Sequence, residues 1–165
     1  MKRILCILLC LCCVLCGCNR GIETPKSPVS FYYLRNDFSY GNKDLVIGME
    51  LRESFGHEDD YVYLLNLYLL GPNSENLDKM FPVGSSVVEI SQEENAVTVT
   101  LSDAFAQLSG INLSAACVCL TKTVCALTGC AQVTIQAQTL LLDSSKSITM
   151  TDDSGLLQDS YTGPT

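Results

Sequence analysis

Two short segments of alternating polarity, joined by a polar turn, constrain the fold of this chain more than any other feature. Residues 86–91 and 96–101 each alternate apolar and polar side chains, and residues 92–95 between them are polar. A period of two is typical of half-buried strands, so this pattern predicts a β-hairpin. Because a hairpin pairs its strands antiparallel, the chain must build a sheet that contains antiparallel pairing.

Apolar residues at helical spacing precede and follow this hairpin. Residues 58–70 carry an i, i+3, i+4, i+7 stripe, with three acidic residues in the predicted first turn and Gly71 and Pro72 at the end. A second stripe predicts a helix that begins at an Asn112 N-cap and ends at Gly129. We expect both helices to pack their apolar faces on the sheet.

Further strands are predicted over residues 29–34, 44–51 and 131–137, and a last short hairpin over residues 140–142 and 147–150. In the second of these strands the apolar residues Leu45, Ile47, Met49 and Leu51 alternate with Val46, Gly48 and Glu50. The order ββαββαβ predicts an α+β fold, with a small mixed or antiparallel sheet and two packed helices.

The first 17 residues have the pattern of a lipoprotein signal peptide. Residues 1–3 form a basic n-region, and residues 4–16 form an apolar run of 13 residues. This run is shorter than the roughly 20 residues that span a membrane. It ends in Leu15-Cys16-Gly17-Cys18, which resembles a bacterial lipobox and implies cleavage after Gly17 and diacylation of Cys18. The alternative is an ordinary leader, uncleaved or cleaved after an Ala-x-Ala sequence.

The remainder of the chain divides into three predicted segments. Residues 18–28 contain two prolines and no apolar period, which is typical of a tether. Residues 29–150 form one domain, and residues 151–165 form a polar, acidic tail that we expect to be disordered. Two acyl chains on Cys18 would hold the domain on the extracytoplasmic face of the cell membrane.

Charge excludes one broad class of function. The 165 residues include 10 Lys and Arg against 18 Asp and Glu, for a net charge of -8. Proteins that bind nucleic acid need a basic face for the phosphate backbone. We therefore expect no nucleic-acid partner.

Six of the ten cysteines lie in the first 18 residues, and the other four are Cys117, Cys119, Cys125 and Cys130. Their spacing lacks the paired knuckles of a zinc site, and Cys-x-Cys within a helix sends its thiols to different faces. Cys117 lies on the apolar stripe and is expected in the core. Cys125, near the helix end, and Cys130, before the next strand, are predicted either to form a disulfide across the turn or to stay free buried thiols.

His57, the only histidine, precedes three consecutive acidic residues. Neighbours one and two positions apart on a helix do not converge on a metal ion, so a solvated helix start explains this cluster. No Gly-x-Ser-x-Gly nucleophile elbow accompanies His57. We expect no catalytic residue, no metal site and no cofactor.

Tyrosine and phenylalanine side chains supply the one feature suited to an interface, because they bury area while tyrosine keeps a polar tip. They are Phe31, Tyr32, Tyr33, Phe38, Tyr40, Tyr61, Tyr63 and Tyr68. The alternative is that most of them cover the sheet and helix as core residues.

Three stretches, in this order, resemble the GerMN-type sporulation and spore-germination domain. The first is Leu-x-x-Tyr-Leu-Leu-Gly-Pro at residues 65–72, at the end of the first predicted helix. The second is Phe-Pro-Val-Gly-Ser at residues 81–85, with Ala-Val-Thr-Val-Thr-Leu-Ser-Asp-Ala-Phe at residues 96–105. The third, residues 120–135, is the end of the second helix followed by a Val-Thr-Ile strand. The resemblance covers about residues 29–150.

This resemblance implies a small α+β module without a catalytic site, similar to the ring-building motifs of sporulation proteins. It implies partners among envelope or sporulation-channel proteins, including copies of the same chain. The predicted function is therefore protein–protein interaction or assembly in the cell envelope, in sporulation or spore germination. The alternative is an envelope lipoprotein that binds a small ligand or peptidoglycan.

Overall fold

The computed structural model describes residues 26–37, 46–138 and 147–153. In chain order, these residues form β1 (Pro28–Leu34), β2 (Ile47–Glu53), α1 (Tyr61–Leu69), β3 (Val87–Glu93), β4 (Ala96–Leu101), a 3-10 helix (Asp103–Gln107), α2 (Gly110–Thr128), β5 (Gln132–Ala137) and β6 (Ile148–Thr151). The leader with Cys18, the predicted strand at residues 140–142 and residues 154–165 of the predicted tail lie outside the described residues.

The predicted α+β class with two packed helices is confirmed, but the described strands form two sheets. β1 and β2 make an antiparallel pair, and the second sheet has the order β3-β4-β5-β6. In that sheet β3–β4 and β5–β6 are antiparallel, whereas β4 and β5 are parallel. A parallel pair needs a long crossover, which the 3-10 helix and α2 supply.

One hydrophobic core joins the two sheets and the two helices. The inner face of the four-stranded sheet consists of buried residues in register, with Val97 opposite Val133 and Val99 opposite Ile135. α2 packs on β1, β5 and β6, and α1 packs on β3. Within the described part of the chain, only α2 is long and apolar enough to cross a membrane, and 56% of its apolar window is buried inside the fold.

α1 begins three residues later than predicted. Phe55 and Gly56 adopt left-handed backbone angles, with φ of 55° and 82°, so the chain turns before the helix can start. The Asp60 side chain then accepts a hydrogen bond from the Tyr63 backbone N–H at 2.9 Å as the N-cap. The prediction that residues 58–60 form the first turn is wrong.

The predicted N-cap of α2 is also wrong. Ser109 has an extended backbone, and its carbonyl accepts the Leu113 N–H at 3.4 Å, so Ser109 is the N-cap and Asn112 lies inside the first turn. The other end is as predicted. Gly129 adopts the left-handed conformation with φ of 72°, and its N–H donates to the Cys125 carbonyl at 2.8 Å.

Candidate functional site

The apolar side chains of β2 point away from the core. In an antiparallel pair, residues directly opposite each other lie on the same face, so Met49 lies beside Tyr32 and Leu51 beside Ser30. Met49 is 52% exposed and Leu51 is 44% exposed. We call this surface the outer face, and it consists of Ser30, Tyr32, Leu34, Ile47, Met49 and Leu51. None of these six side chains is charged, although the chain has a net charge of -8, and the same face of β2 ends at the charged Glu53, opposite Pro28.

The opposite, inner face of β2 carries charged residues instead. Glu50 lies opposite the fully buried Phe31 and forms an ion pair with Arg52, with Oε1 and Nη1 2.9 Å apart. The Glu50 carboxylate also accepts hydrogen bonds from the backbone N–H groups of Asn73 and Ser74. These bonds tie the segment after α1 to the sheet, and they hold β2 with its apolar face outward.

The edge of β2 next to this face is open within the described ranges. The far edge of β1 is occupied, because the Tyr32 N–H donates to Thr123 Oγ1 at 3.0 Å and the Leu34 carbonyl accepts the Asp78 N–H at 2.8 Å. Among residues 26–37, 46–138 and 147–153, no second strand pairs with β2. The outer face and this edge therefore form one continuous surface for another polypeptide to contact.

A second surface feature is an open groove of about 560 Å³ at the start of α1. Its lining includes His57 and Asp59 from the turn before the helix, Val62 from α1, and Ile90 and Gln92 from β3. Its lining therefore combines apolar side chains with the carboxylates of Glu58, Asp59 and Asp60. A cavity of this volume falls in the range of small-molecule sites.

His57 and its acidic neighbours are exposed, but they lie in the turn before α1 and not in its first turn as predicted. The His57 ring stacks on Tyr63 with centroids 4.0 Å apart, and its Nδ1 lies 3.7 Å from Asp60 Oδ2. Glu58 accepts a hydrogen bond from the Ser54 hydroxyl at 2.7 Å, and this bond holds the pKa of Glu58 below its usual range. Asp60 and Glu58 thus support the turn and the helix start.

Metal-binding side chains do not converge in the described residues. Across these ranges, no group of three His, Cys, Asp or Glu side chains is placed to hold an ion. Cys117 and Cys119 are buried in α2, and burial raises the pKa of each thiol to about 12. Cys125 and Cys130 lie together, with their sulfur atoms 3.6 Å apart as free thiols.

Most of the described aromatic residues belong to the core. Phe31, Tyr33 and Tyr68 are almost fully buried. Tyr33 stacks on Tyr68 with centroids 4.7 Å apart and donates its hydroxyl to the Tyr68 carbonyl at 3.0 Å. Tyr32, in contrast, is half-buried on the outer face. Phe38 and Tyr40 lie outside the described residues.

The outer face was not predicted from the sequence, because the alternation of residues along β2 does not indicate which of its two faces is buried. A signal was present in the sequence: Glu50 and Arg52, two charges spaced to lie on one face of a strand, suggest mutual pairing. Their burial depends on the segment after α1, which is distant in sequence.

No protein-family model matches the sequence, and no curated protein matches it. Among solved structures, the first GerMN domain of the sporulation protein GerM from Bacillus subtilis matches with a TM-score of 0.53 and 11% identity, over 69% of this chain and 84% of that chain. The tandem GerMN domains of the same protein match with a TM-score of 0.49 and 16% identity, over 68% of this chain and 39% of that chain. A Clostridium perfringens protein described as a candidate lipoprotein matches with a TM-score of 0.44 and 16% identity, over 68% of this chain and 76% of that chain.

The first of these matches shows that this chain has the fold of a GerMN domain. The resemblance predicted from the sequence is therefore confirmed at the level of the fold.

Proposed function

We propose that this GerMN-fold domain is a lipid-anchored, extracytoplasmic protein of the cell envelope that acts through contact with other proteins and catalyses no reaction. Its partners are envelope or sporulation-channel proteins, among them further copies of the same chain. The outer face of the β1–β2 sheet is the proposed contact surface.

The observation that carries this proposal is the orientation of β2. A strand that could bury Met49 and Leu51 instead buries much of the Glu50–Arg52 ion pair and leaves both apolar side chains more than 40% exposed. Exposed apolar side chains in one uncharged patch are typical of surfaces that contact another protein. The edge of β2, which no other described strand occupies, adds backbone groups that a partner strand can pair with.

The anchor part of the proposal is supported by the lipobox-like sequence ending at Cys18. The described domain begins close to it, because β1 starts at Pro28 and only nine residues separate Pro28 from Cys18. Even fully extended, such a tether reaches about 35 Å. The outer face would therefore meet partners close to the membrane.

Site-specific photo-crosslinking in cells tests the contact surface. A photoreactive residue at Met49 should give a defined crosslinked product, which mass spectrometry identifies in growing and in sporulating cells. Val83 is the matched control, because it is an exposed apolar residue at 88% that lies outside the outer face. Equal products from the two positions, or none from Met49, would overturn the assignment of this surface.

The anchor is tested separately by Cys18→Ser. We expect the wild-type chain in the membrane fraction with a diacyl mass on Cys18 and without residues 1–17, and the variant without that mass. A wild-type chain that lacks the diacyl mass on Cys18 would contradict lipid anchoring through this cysteine.

The groove at the start of α1 supports a second candidate, an envelope lipoprotein that binds a small ligand or a peptidoglycan fragment. Its volume of about 560 Å³ and its acidic lining suit a cationic or amine-bearing ligand. A screen of soluble peptidoglycan fragments by thermal shift tests this candidate. A saturable shift that Asp59→Asn weakens and Met49→Lys leaves unchanged would favour ligand binding over protein contact.

A further inference from the structure

Cys125 and Cys130 are brought together by the turn that ends α2. Their Sγ atoms lie 3.6 Å apart, and a disulfide bond needs about 2.05 Å. The two sulfur atoms are therefore about 1.5 Å further apart than in a disulfide, and the turn between them is well defined. Gly129 in the left-handed conformation donates its N–H to the Cys125 carbonyl, and the Cys130 N–H donates to Thr128 Oγ1 at 3.2 Å.

Cys117 and Cys119, the other two thiols of the domain, cannot form a disulfide with Cys125 in place of Cys130. Cys117 and Cys119 are almost fully buried in the middle of α2. At about 1.5 Å of rise per residue, Cys119 lies roughly 9 Å along the helix from Cys125, beyond the reach of a disulfide. Cys125 is half-buried and is therefore the thiol that an external oxidant can reach.

We propose that Cys125 and Cys130 form a disulfide whenever the domain stands in an oxidising compartment, and that this bond is a redox-sensitive clasp between α2 and β5. The presence of such a compartment rests on the proposed extracytoplasmic function. The oxidant is the disulfide form of a dithiol oxidoreductase or of glutathione.

The reaction balances in two exchange steps. Cys125 loses its proton, and its thiolate attacks one sulfur of the donor disulfide, which forms a mixed disulfide and releases the first donor thiol. Cys130 then loses its proton and attacks Cys125 Sγ, which forms the intramolecular bond and releases the second donor thiol. The two protein thiols are oxidised, and the donor disulfide is reduced to two thiols.

The clasp would fix a junction of three elements. Directly after Cys130, the Ala131 N–H donates to both the carbonyl and the side-chain oxygen of Asn95, which lies in the β3–β4 turn. The bond therefore joins the end of α2 to the point where β5 enters the sheet beside β4. A disulfide stabilises a fold less when it closes a short loop than when it closes a long one. We therefore expect the oxidised domain to melt only about 5–10 °C higher than the reduced one.

Trapping of thiols in the full-length protein tests the proposal. Cells are quenched with N-ethylmaleimide, and the purified chain is digested with trypsin. Cleavage after Lys122 and Lys146 places Cys125 and Cys130 in one peptide, 123–146, while Cys117 and Cys119 fall in another. We expect peptide 123–146 to be unlabelled and lighter by two hydrogen atoms, and to accept two labels after reduction.

Cysteine variants show whether the difference in Tm comes from the Cys125–Cys130 disulfide or from oxidation elsewhere in the protein. Cys125→Ser and Cys130→Ser should each abolish the difference in Tm between the oxidised and the reduced protein. Cys117→Ala is the control, because it changes a buried thiol of the same helix and should keep that difference.

Two results distinguish failure of the clasp from failure of the proposed location. If the purified chain keeps both thiols in a buffer of oxidised glutathione, the clasp is overturned. If the chain forms the bond in that buffer but is labelled at both thiols in the cell, the clasp holds and the proposed extracytoplasmic location is overturned.

Discussion

The Glu50 carboxylate and the Arg52 guanidinium lie 2.9 Å apart on the inner side of β2, where their side chains are only 11% and 13% exposed. Arg52 also donates to the Gly71 carbonyl at 3.3 Å, and Glu50 accepts the Asn73 and Ser74 N–H groups. This pair therefore does two things. It fixes the segment that follows α1, and it requires the apolar residues of β2 to face outward.

Removal of one member of this pair should destabilise the domain strongly. Glu50→Ala leaves the partly buried Arg52 without its carboxylate and two backbone N–H groups without their acceptor. We expect a loss of about 2–4 kcal/mol in the free energy of unfolding, measured by urea denaturation. Glu50→Ala/Arg52→Ala should recover part of that loss, because no unpaired charge remains.

The exposed pair of Arg35 and Asp37 is the control for this prediction. Its atoms lie 2.7 Å apart, but the side chains are 31% and 44% exposed. Asp37→Ala should therefore reduce the free energy of unfolding much less than Glu50→Ala does. Similar losses for Asp37→Ala and Glu50→Ala would show that burial does not set the strength of the Glu50–Arg52 pair.

Neighbouring carboxylates before α1 should differ sharply in their contribution to stability. Asp60 accepts the Tyr63 N–H at 2.9 Å, so Asp60→Ala removes the N-cap and should cost about 1 kcal/mol in urea denaturation. Asp59 is exposed and lies outside the cap, so Asp59→Ala should change the free energy of unfolding by less than about 0.5 kcal/mol. A larger loss for Asp59→Ala than for Asp60→Ala would contradict the assignment of Asp60 as the N-cap.

The sequence predicts those parts of the fold that depend on local pattern. The hairpin predicted over 86–91 and 96–101 is present as β3 and β4, because alternation and a polar turn are encoded within 16 residues. The end of α2 at Gly129 is likewise local, since a left-handed C-cap favours glycine.

Features that depend on an unusual backbone conformation or on distant contacts could not be predicted from the sequence. The start of α1 moved because Phe55 takes an unusual left-handed backbone conformation, which no helix propensity anticipates. The outward orientation of β2 arises from Glu50 and a segment more than 20 residues away. The proximity of Cys125 and Cys130, in contrast, follows from a short turn, so the sequence could indicate it as one of two alternatives.

Gly129 should be more sensitive to substitution than its surroundings suggest. Nothing lies within 4 Å of a Cβ built on this residue, so Gly129→Ala meets no steric obstacle. Its φ of 72° is nevertheless unfavourable for alanine, and we expect a loss of about 1 kcal/mol in thermal or urea unfolding. Gly129→Asn should lose less, because asparagine tolerates this conformation. Equal losses for both variants would mean that backbone conformation does not decide the cost.

Buried thiols should make the domain lose stability in alkali. Burial raises the pKa of Cys119 from 9.0 to about 12, so the folded state keeps the proton to a higher pH than the unfolded chain does. Below pH 9 both states are protonated and the full stability is present. Above that pH the unfolded chain releases its proton first, and stability falls by up to about 1.4 kcal/mol per pH unit for this thiol until pH about 12.

Urea denaturation followed by circular dichroism between pH 8 and pH 10 measures this slope, and it stays largely below the ionisation of exposed tyrosines at pH about 10. Cys119→Ala should be less stable than the wild type at pH 8, because it removes a buried sulfur, but its stability should fall less steeply with pH. In the reduced protein, in which this slope is measured, the thiols of Cys117 and Cys125 also have raised pKa values, so a smaller slope should remain in the variant. Parallel curves for the two proteins would contradict a contribution of Cys119 to the pH dependence.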